Sequence, residues 1–368
     1  MDLKALCDLQ GVSGREEPVR RAVYAACVEK MGVERVHLDR MGNVIAEKDG
    51  SDPSAPHVMV CAHMDEVGLM VISATDDGLL RVRAIGGIDP RVLVSKRVTV
   101  GYGPVAGSER EGTSSPENGL RPSAEGGERG GVPGVIGALA IHQQSPQDRK
   151  ALLPIDQLYV DIGAKNKDEA VAVAPAGTPV TFATSFAGFG EGLYLAKALD
   201  DRVGVYNLLR LLDAECRGRT SLVFTCQEEV GCRGAAGAAF RLRPEIGLVL
   251  EGTSANDRGD VPAPEQVCRV GEGVAVSFID HSSLAHPRMF AGMLALAKEK
   301  GIPHQVKRSL SGGNEAGTLQ RTGMGVKTCV LSVPCRYIHS PSALCAAGDV
   351  EAQYELAKAF LEQGTEGY

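Results

Sequence analysis

The apolar positions of this chain follow two regimes. Over residues 3–31 they recur at helical spacing, broken once by Gly11-Val12-Ser13-Gly14-Arg15-Glu16-Glu17. There Ser13 and Glu16, ahead of Val19, Ala22 and Val23, form a capping-box pair that predicts the start of a second helix. Residues 33–36 and 43–47 read as short strands joined by the turn Asp39-Arg40-Met41-Gly42. The run His57-Val58-Met59-Val60-Cys61-Ala62 is apolar without alternation, as expected of a strand buried on both faces. From Gly68 to about Phe182 the helical period fades. Short strands are expected there at 69–72, 79–83, 97–102, 158–162 and 178–182, with turn residues between them. From Gly190 onward helices and strands alternate again: helices at 205–212, 234–240, 287–300 and 350–363, and strands at 221–225, 246–250, 274–279, 304–308 and 327–333.

This pattern predicts an α/β protein, a three-layer α/β/α unit with a mixed sheet formed by residues 1–67 and 183–368. Residues 68–182 would form an inserted small β-barrel-like domain. Two units are also what the length demands, since 368 residues exceed the size at which one core stops growing. Within the insertion, residues 107–131 are almost purely Gly, Ser, Glu, Arg and Pro, the composition of a flexible surface loop.

Composition then removes several classes. A net charge of -7, no Trp and an aromatic content of only 4% leave neither the basic footprint nor the stacking surface that nucleic-acid binding uses. No apolar stretch approaches the ~20 residues a membrane span needs, and the first residues lack a leader pattern. Ten scattered cysteines without CxxC spacing fit reduced thiols and exclude a zinc ribbon. A cytoplasmic protein is expected.

The chemistry gathers at the strand ends. The strand at 221–225 runs into Glu228 and Glu229, and the strand at 57–62 into His63 and Asp65. Asp200 and Asp201 open a helix, Glu251 ends the strand at 246–250, and His339 follows the strand at 327–333. Singly, each has an ordinary explanation: a solvated acidic turn, a core histidine, a helix cap. Together, five segments carrying carboxylates and imidazoles to the edge where α/β sheets form their ligand crevices suit divalent cations, with ligands enough for two.

The motifs Ala62-His63-Met64-Asp65-Glu66-Val67-Gly68, Ala198-Leu199-Asp200-Asp201-Arg202-Val203-Gly204, Gln227-Glu228-Glu229-Val230-Gly231-Cys232-Arg233-Gly234-Ala235 and Arg336-Tyr337-Ile338-His339-Ser340-Pro341 resemble those of the glutamyl aminopeptidases. That family of dinuclear metallo-aminopeptidases includes tetrahedral dodecameric enzymes, and the similarity spans nearly the whole chain in the same order. The resemblance implies that Asp200 bridges two divalent metal ions, zinc or cobalt. His63 and Glu251 would complete one site, Glu229 and His339 the other. Asp65 would orient the imidazole of His63, and Glu228 would be the general base for hydrolysis of short peptides from the N-terminus. It also implies a homo-oligomer, possibly a dodecamer, assembled through the β insertion; a monomer with a lid domain is the alternative.

Three differences from the family stand out. Glu251 occupies a position more often Asp. Asn314-Glu315 stands after Gly312-Gly313 where the family shows Thr-Asp, and the 107–131 segment is longer than its counterpart. Other readings are a deacylase or carboxypeptidase of the same architecture, a metal-independent glycosidase using paired carboxylates, or a non-catalytic assembly protein. The glycosidase leaves His63 and His339 without a role, and the assembly protein would have lost a ligand or Glu228.

Overall fold

The structure is a computed structural model that describes residues 1–102, 131–308 and 312–363. The polar segment expected to loop at 107–131 lies, but for Gly131, outside the described residues. The chain begins with α1 (Leu3–Asp8) and α2 (Glu17–Met31), then β1 (Val36–Leu38), β2 (Val44–Lys48) and β3 (Val58–His63). Next come β4 (Gly68–Ala74), β5 (Leu80–Ile85), β6 (Arg97–Val100), β7 (Val132–Gly137), β8 (Tyr159–Asp161), α3 (Lys167–Val173) and β9 (Pro179–Phe182). The rest comprises β10 (Ala187–Phe189), β11 (Leu193–Ala196), α4 (Leu199–Arg210), β12 (Thr220–Thr225), α5 (Arg233–Leu242), β13 (Ile246–Ser254) and β14 (Val274–Ser277). It closes with α6 (Pro287–Lys300), β15 (His304–Lys307), α7 (Glu315–Gln320), β16 (Lys327–Arg336), β17 (Ala343–Ala346) and α8 (Ala347–Gln363).

Eleven strands form one mixed sheet, in the order β1-β2-β12-β3-β13-β16-β17-β11-β10, with β14 and β15 branching from β16. Its centre, β12-β3-β13-β16, is parallel, and every residue of β3 and β12 is buried. Alternate side chains of a strand leave by opposite faces. Val58, Val60 and Ala62 accordingly join Leu222, Phe224, Leu248 and Leu250 in a core against α2, α4, α6 and α8. Met59 and Cys61 join Val223 and Val249 in a second core against α5 and α7. Two cores on the two faces of one sheet are the physical content of the three layers.

The strands β4-β5-β8-β7-β6-β9 close into a six-stranded barrel around Leu69, Leu80, Val82, Val98, Ile136, Val160 and Val180. Closure removes the exposed edges that an open six-stranded sheet would carry.

Some elements differ from those expected. Helix α4 opens at Leu199, earlier than its apolar run, and its first turn departs from helical geometry at Asp200 and Asp201. Strands β7, β10, β11 and β17 are additional; β7 reads Val-Pro-Gly-Val-Ile-Gly, a sequence with turn residues that barrel pairing holds extended. The capping box does not form. Helix α2 starts at Glu17 with no side-chain cap. Ser13 Oγ instead donates to Asp65 Oδ2 at 2.6 Å, and Glu16 Oε1 accepts from the amides of Gly14 and Gln227. A tertiary partner outcompeted the local one.

Candidate active site

Register sets the site. His63 lies opposite Thr225 across the β3–β12 pair. Val249 lies opposite Cys61, so Glu251, two residues on, comes level with His63. Glu228 and Glu229 follow in the turn after β12, where Gln227 and Gly231 have φ of 57° and 115°. His339 sits in the turn after β16 with φ of 57°, and Asp200 enters from the opened first turn of α4. The Asp200–Asp201 peptide bond is cis.

The five side chains form two triads that share one carboxylate. His63 Nε2 lies 3.4 Å from Asp200 Oδ1 and 3.7 Å from Glu251 Oε2. His339 Nε2 lies 3.3 Å from Asp200 Oδ2 and 3.3 Å from Glu229 Oε1. Within each triad the ligand atoms lie within 4.8 Å of one another. Asp200 Oδ1, Glu229 Oε1 and Glu251 Oε1 are buried with no hydrogen bond. Buried carboxylate oxygens without donors are costly, and all three belong to residues of the two triads. That arrangement fits divalent cations.

Electrostatics agree. Burial, then the neighbouring carboxylate of Asp200, pushes Glu229 up to about 8 despite His339. Burial, as the leading cause, holds Glu251 well above the carboxylate range. Burial opposes the charge on His339, but the neighbouring carboxylates of Asp200 and Glu229 outweigh it and raise the ring to about 9. His63 is likewise raised despite complete burial, by Asp200 and Asp65. Asp200 is held below the usual carboxylate range: burial opposes its charge, and the attraction of the two histidine rings beside it outweighs burial. The protein alone is short of positive charge here, and its histidines hold protons that a cation would displace.

Asp65 is fully buried beneath the triads. Its main-chain oxygen lies 3.1 Å from His63 Nδ1 and its Oδ1 3.5 Å from the same nitrogen. Its carboxylate also accepts from the amides of Glu228 and Glu229 at 3.0 and 3.1 Å. It therefore orders both the imidazole and the acidic turn. Burial, ahead of its other neighbours, raises Glu228 above the carboxylate range, and its Oε1 accepts from Cys232 Sγ at 3.2 Å. Glu228 lines a cavity of about 670 Å³ together with Asp200, Glu229, Glu251 and His339.

Three groups carry no sign of their role in the sequence. Asp201, completely buried, accepts from the amides of His63 and Gly204 and so ties the α4 entry to β3. Glu315 is buried with neither carboxyl oxygen hydrogen-bonded, and burial pushes it up to about 7. Glu66 bridges two buried cations: Lys197 Nζ at 2.8 Å and Arg202 Nη2 at 3.3 Å.

Paired His–carboxylate triads at the carboxyl edge of a mixed sheet belong to the metal-dependent hydrolases. The chain is a member of the M42 glutamyl aminopeptidase family, whose sequence profile matches residues 42–113 and 125–356. It is 34% identical to the lysyl aminopeptidase of Pyrococcus furiosus, over 98% of this chain and 96% of that one. An aminopeptidase of the archaeon Desulfurococcus kamchatkensis superposes with a TM-score of 0.85 at 32% identity, covering 99% of this chain and 94% of the other. The TET1 peptidase of Pyrococcus horikoshii, which can assemble into a tetrahedron or a large octahedral shell, superposes with a TM-score of 0.79 at 29% identity, covering 98% of each chain. The chain is thus an aminopeptidase of a metal-dependent family. Among the described residues no helix is long and apolar enough to cross a membrane.

Proposed function

We propose that this protein removes N-terminal residues from short peptides by a two-cation mechanism with Glu228 as general base. The observation that carries it is Asp200, whose two carboxylate oxygens face two different histidines, each with its own second carboxylate. On this reading His63, Asp200 and Glu251 hold one divalent ion, and Asp200, Glu229 and His339 the other, zinc or cobalt in each case. Such ions, when bound, activate a water and polarise the scissile carbonyl. Glu228 takes the water's proton and later gives it to the leaving amine; burial raises its pKa and so favours its holding that proton between the two transfers. Asp65 keeps the proton of His63 on Nδ1, leaving Nε2 free as a ligand, and holds Glu228 and Glu229 by their amides so that their carboxyls diverge.

The domain division belongs to the same proposal. Residues 1–67 and 183–368 form the catalytic unit, and the insertion 68–182 pairs subunits of a self-assembled particle. The assembly of the Pyrococcus horikoshii relative supports this reading.

The test is release of free amino acid from a panel of unblocked and N-acetylated peptides, before and after chelation and after return of zinc or cobalt. Unblocked peptides alone should be cleaved, and only with metal. Activity surviving complete metal removal sinks the cation reading; equal cleavage of blocked peptides sinks the aminopeptidase reading.

A further inference from the structure

We infer that Cys232 is a positioning residue for Glu228, its thiol holding one carboxylate oxygen so that the other is left for the water, an inference that rests on the role proposed for Glu228 above. The turn after β12 sets the geometry. The main-chain oxygen of Glu228 accepts from the amides of both Gly231 and Cys232 at 2.8 Å, and those two residues have φ of 115° and 51°. The segment therefore doubles back, and the Cys232 side chain returns to the residue four before it. There its Sγ donates to Glu228 Oε1 at 3.2 Å. Cys232 occupies the N-cap of α5 but makes no side-chain cap. Its thiol is turned to the carboxyl and away from the helix it precedes.

Its surroundings set this cysteine apart from the other nine. Those are buried, whereas Cys232 is partly exposed in the wall of the cavity that Glu228 also lines. Among the described residues its thiol is the only hydrogen-bond donor to the Glu228 carboxyl. Asp65 fixes the amides of Glu228 and Glu229, which secures the main chain and leaves the side-chain torsions of Glu228 to be settled by something else. A glutamate side chain gives up rotamer entropy when it is held, and a misplaced catalytic group loses rate steeply. The thiol supplies the hold. Burial, followed by the charges of Glu228 and Glu315, pushes the thiol far above its ordinary value, so it keeps its proton and remains a donor. A thiol is also a weak donor, and it steers the carboxylate without competing for the proton that carboxylate must take.

The test is kcat and KM for an unblocked peptide, with metal content, in the metal-loaded wild type, Cys232→Ser, Cys232→Ala, Glu228→Gln and the variant carrying both Cys232→Ala and Glu228→Gln. Cys232→Ala should lower kcat by about three- to tenfold, the range of one net hydrogen bond, with KM and metal content unchanged. Cys232→Ser returns a donor to the same place and should recover most of that loss. In the Glu228→Gln background Cys232→Ala should have no further effect, because a thiol that acts through the base then has nothing to position. A cysteine that only supports the turn would lower kcat by the same factor in both backgrounds, and that additive result overturns the inference. So does an undiminished kcat in Cys232→Ala, a loss that Cys232→Ser does not recover, or an effect confined to KM or metal content. If Glu228→Gln turns over as fast as the wild type, or no form cleaves the peptide, the general-base reading itself fails and the role of Cys232 falls with it.

Discussion

Glu228 and Glu229 are adjacent in sequence, and the proposal separates their roles by what each carboxyl meets. Glu229 lies 3.3 Å from His339 within a triad, whereas Glu228 belongs to neither triad and faces the cavity. Replacing Glu228 by Gln should lower kcat by about 10²–10⁴-fold, the span of general-base catalysis, while metal content by mass spectrometry stays at the wild-type level. Loss of metal in that variant would mean that the two roles are exchanged. Glu315 makes a separate claim. Its folded pKa of about 7 lies above the ordinary 4.5, so the folded state holds the proton more tightly. The resulting stability is fully present below about pH 4.5 and is lost as pH rises through 7. In the metal-free protein, Glu315→Gln should therefore gain on the wild type by roughly 2–3 kcal/mol between pH 4.5 and pH 8 in denaturant unfolding. A difference independent of pH would show that Glu315 is not buried as a neutral acid.

At the scale of elements, the site is held by a charged cluster beneath it. Glu66, two residues before β4, accepts from the Gly11 amide and from Lys197 and Arg202, and the two cations also bind carbonyls of Leu6, Leu9 and Met64. The cluster thereby fastens α1 and the opened start of α4 to the segment carrying His63. Glu66→Ala leaves two buried cations without their anion and should cost about 3–5 kcal/mol in denaturant unfolding; a loss under about 1 kcal/mol would mean that water or another group replaces the carboxylate. The sequence showed β3 and β12 because a strand buried on both faces is apolar throughout, and it marked His63, Glu229 and Glu251 as candidate ligands because they follow closely on such runs. It could not show Lys197, Arg202 and Glu66 as one cluster, since 131 residues separate Lys197 from its partner and no local pattern marks the pairing. Ser13 and Glu16 misled for the converse reason: their spacing suits a helix cap, but Asp65 and the Gln227 amide compete for the same atoms. Strands β10, β11 and β17 were hidden because three or four residues are too few to display a period.

For the whole molecule, the barrel is a closed unit inserted between β3 and β10 of the layered fold, and the proposal gives it the task of joining subunits. Light scattering on the purified protein should then report a mass many times the 38.7 kDa of one chain; a monomer at micromolar concentration would leave the barrel as a lid beside the cavity. The central claim concerns the pair of cations that one carboxylate would bridge. Titration of the metal-free enzyme with zinc or cobalt, following release of the N-terminal residue from an unblocked peptide, tests it most directly. The account predicts no turnover without metal and full turnover at two equivalents per chain. Turnover in the metal-free protein, or saturation at one equivalent with no second ion bound, would contradict it.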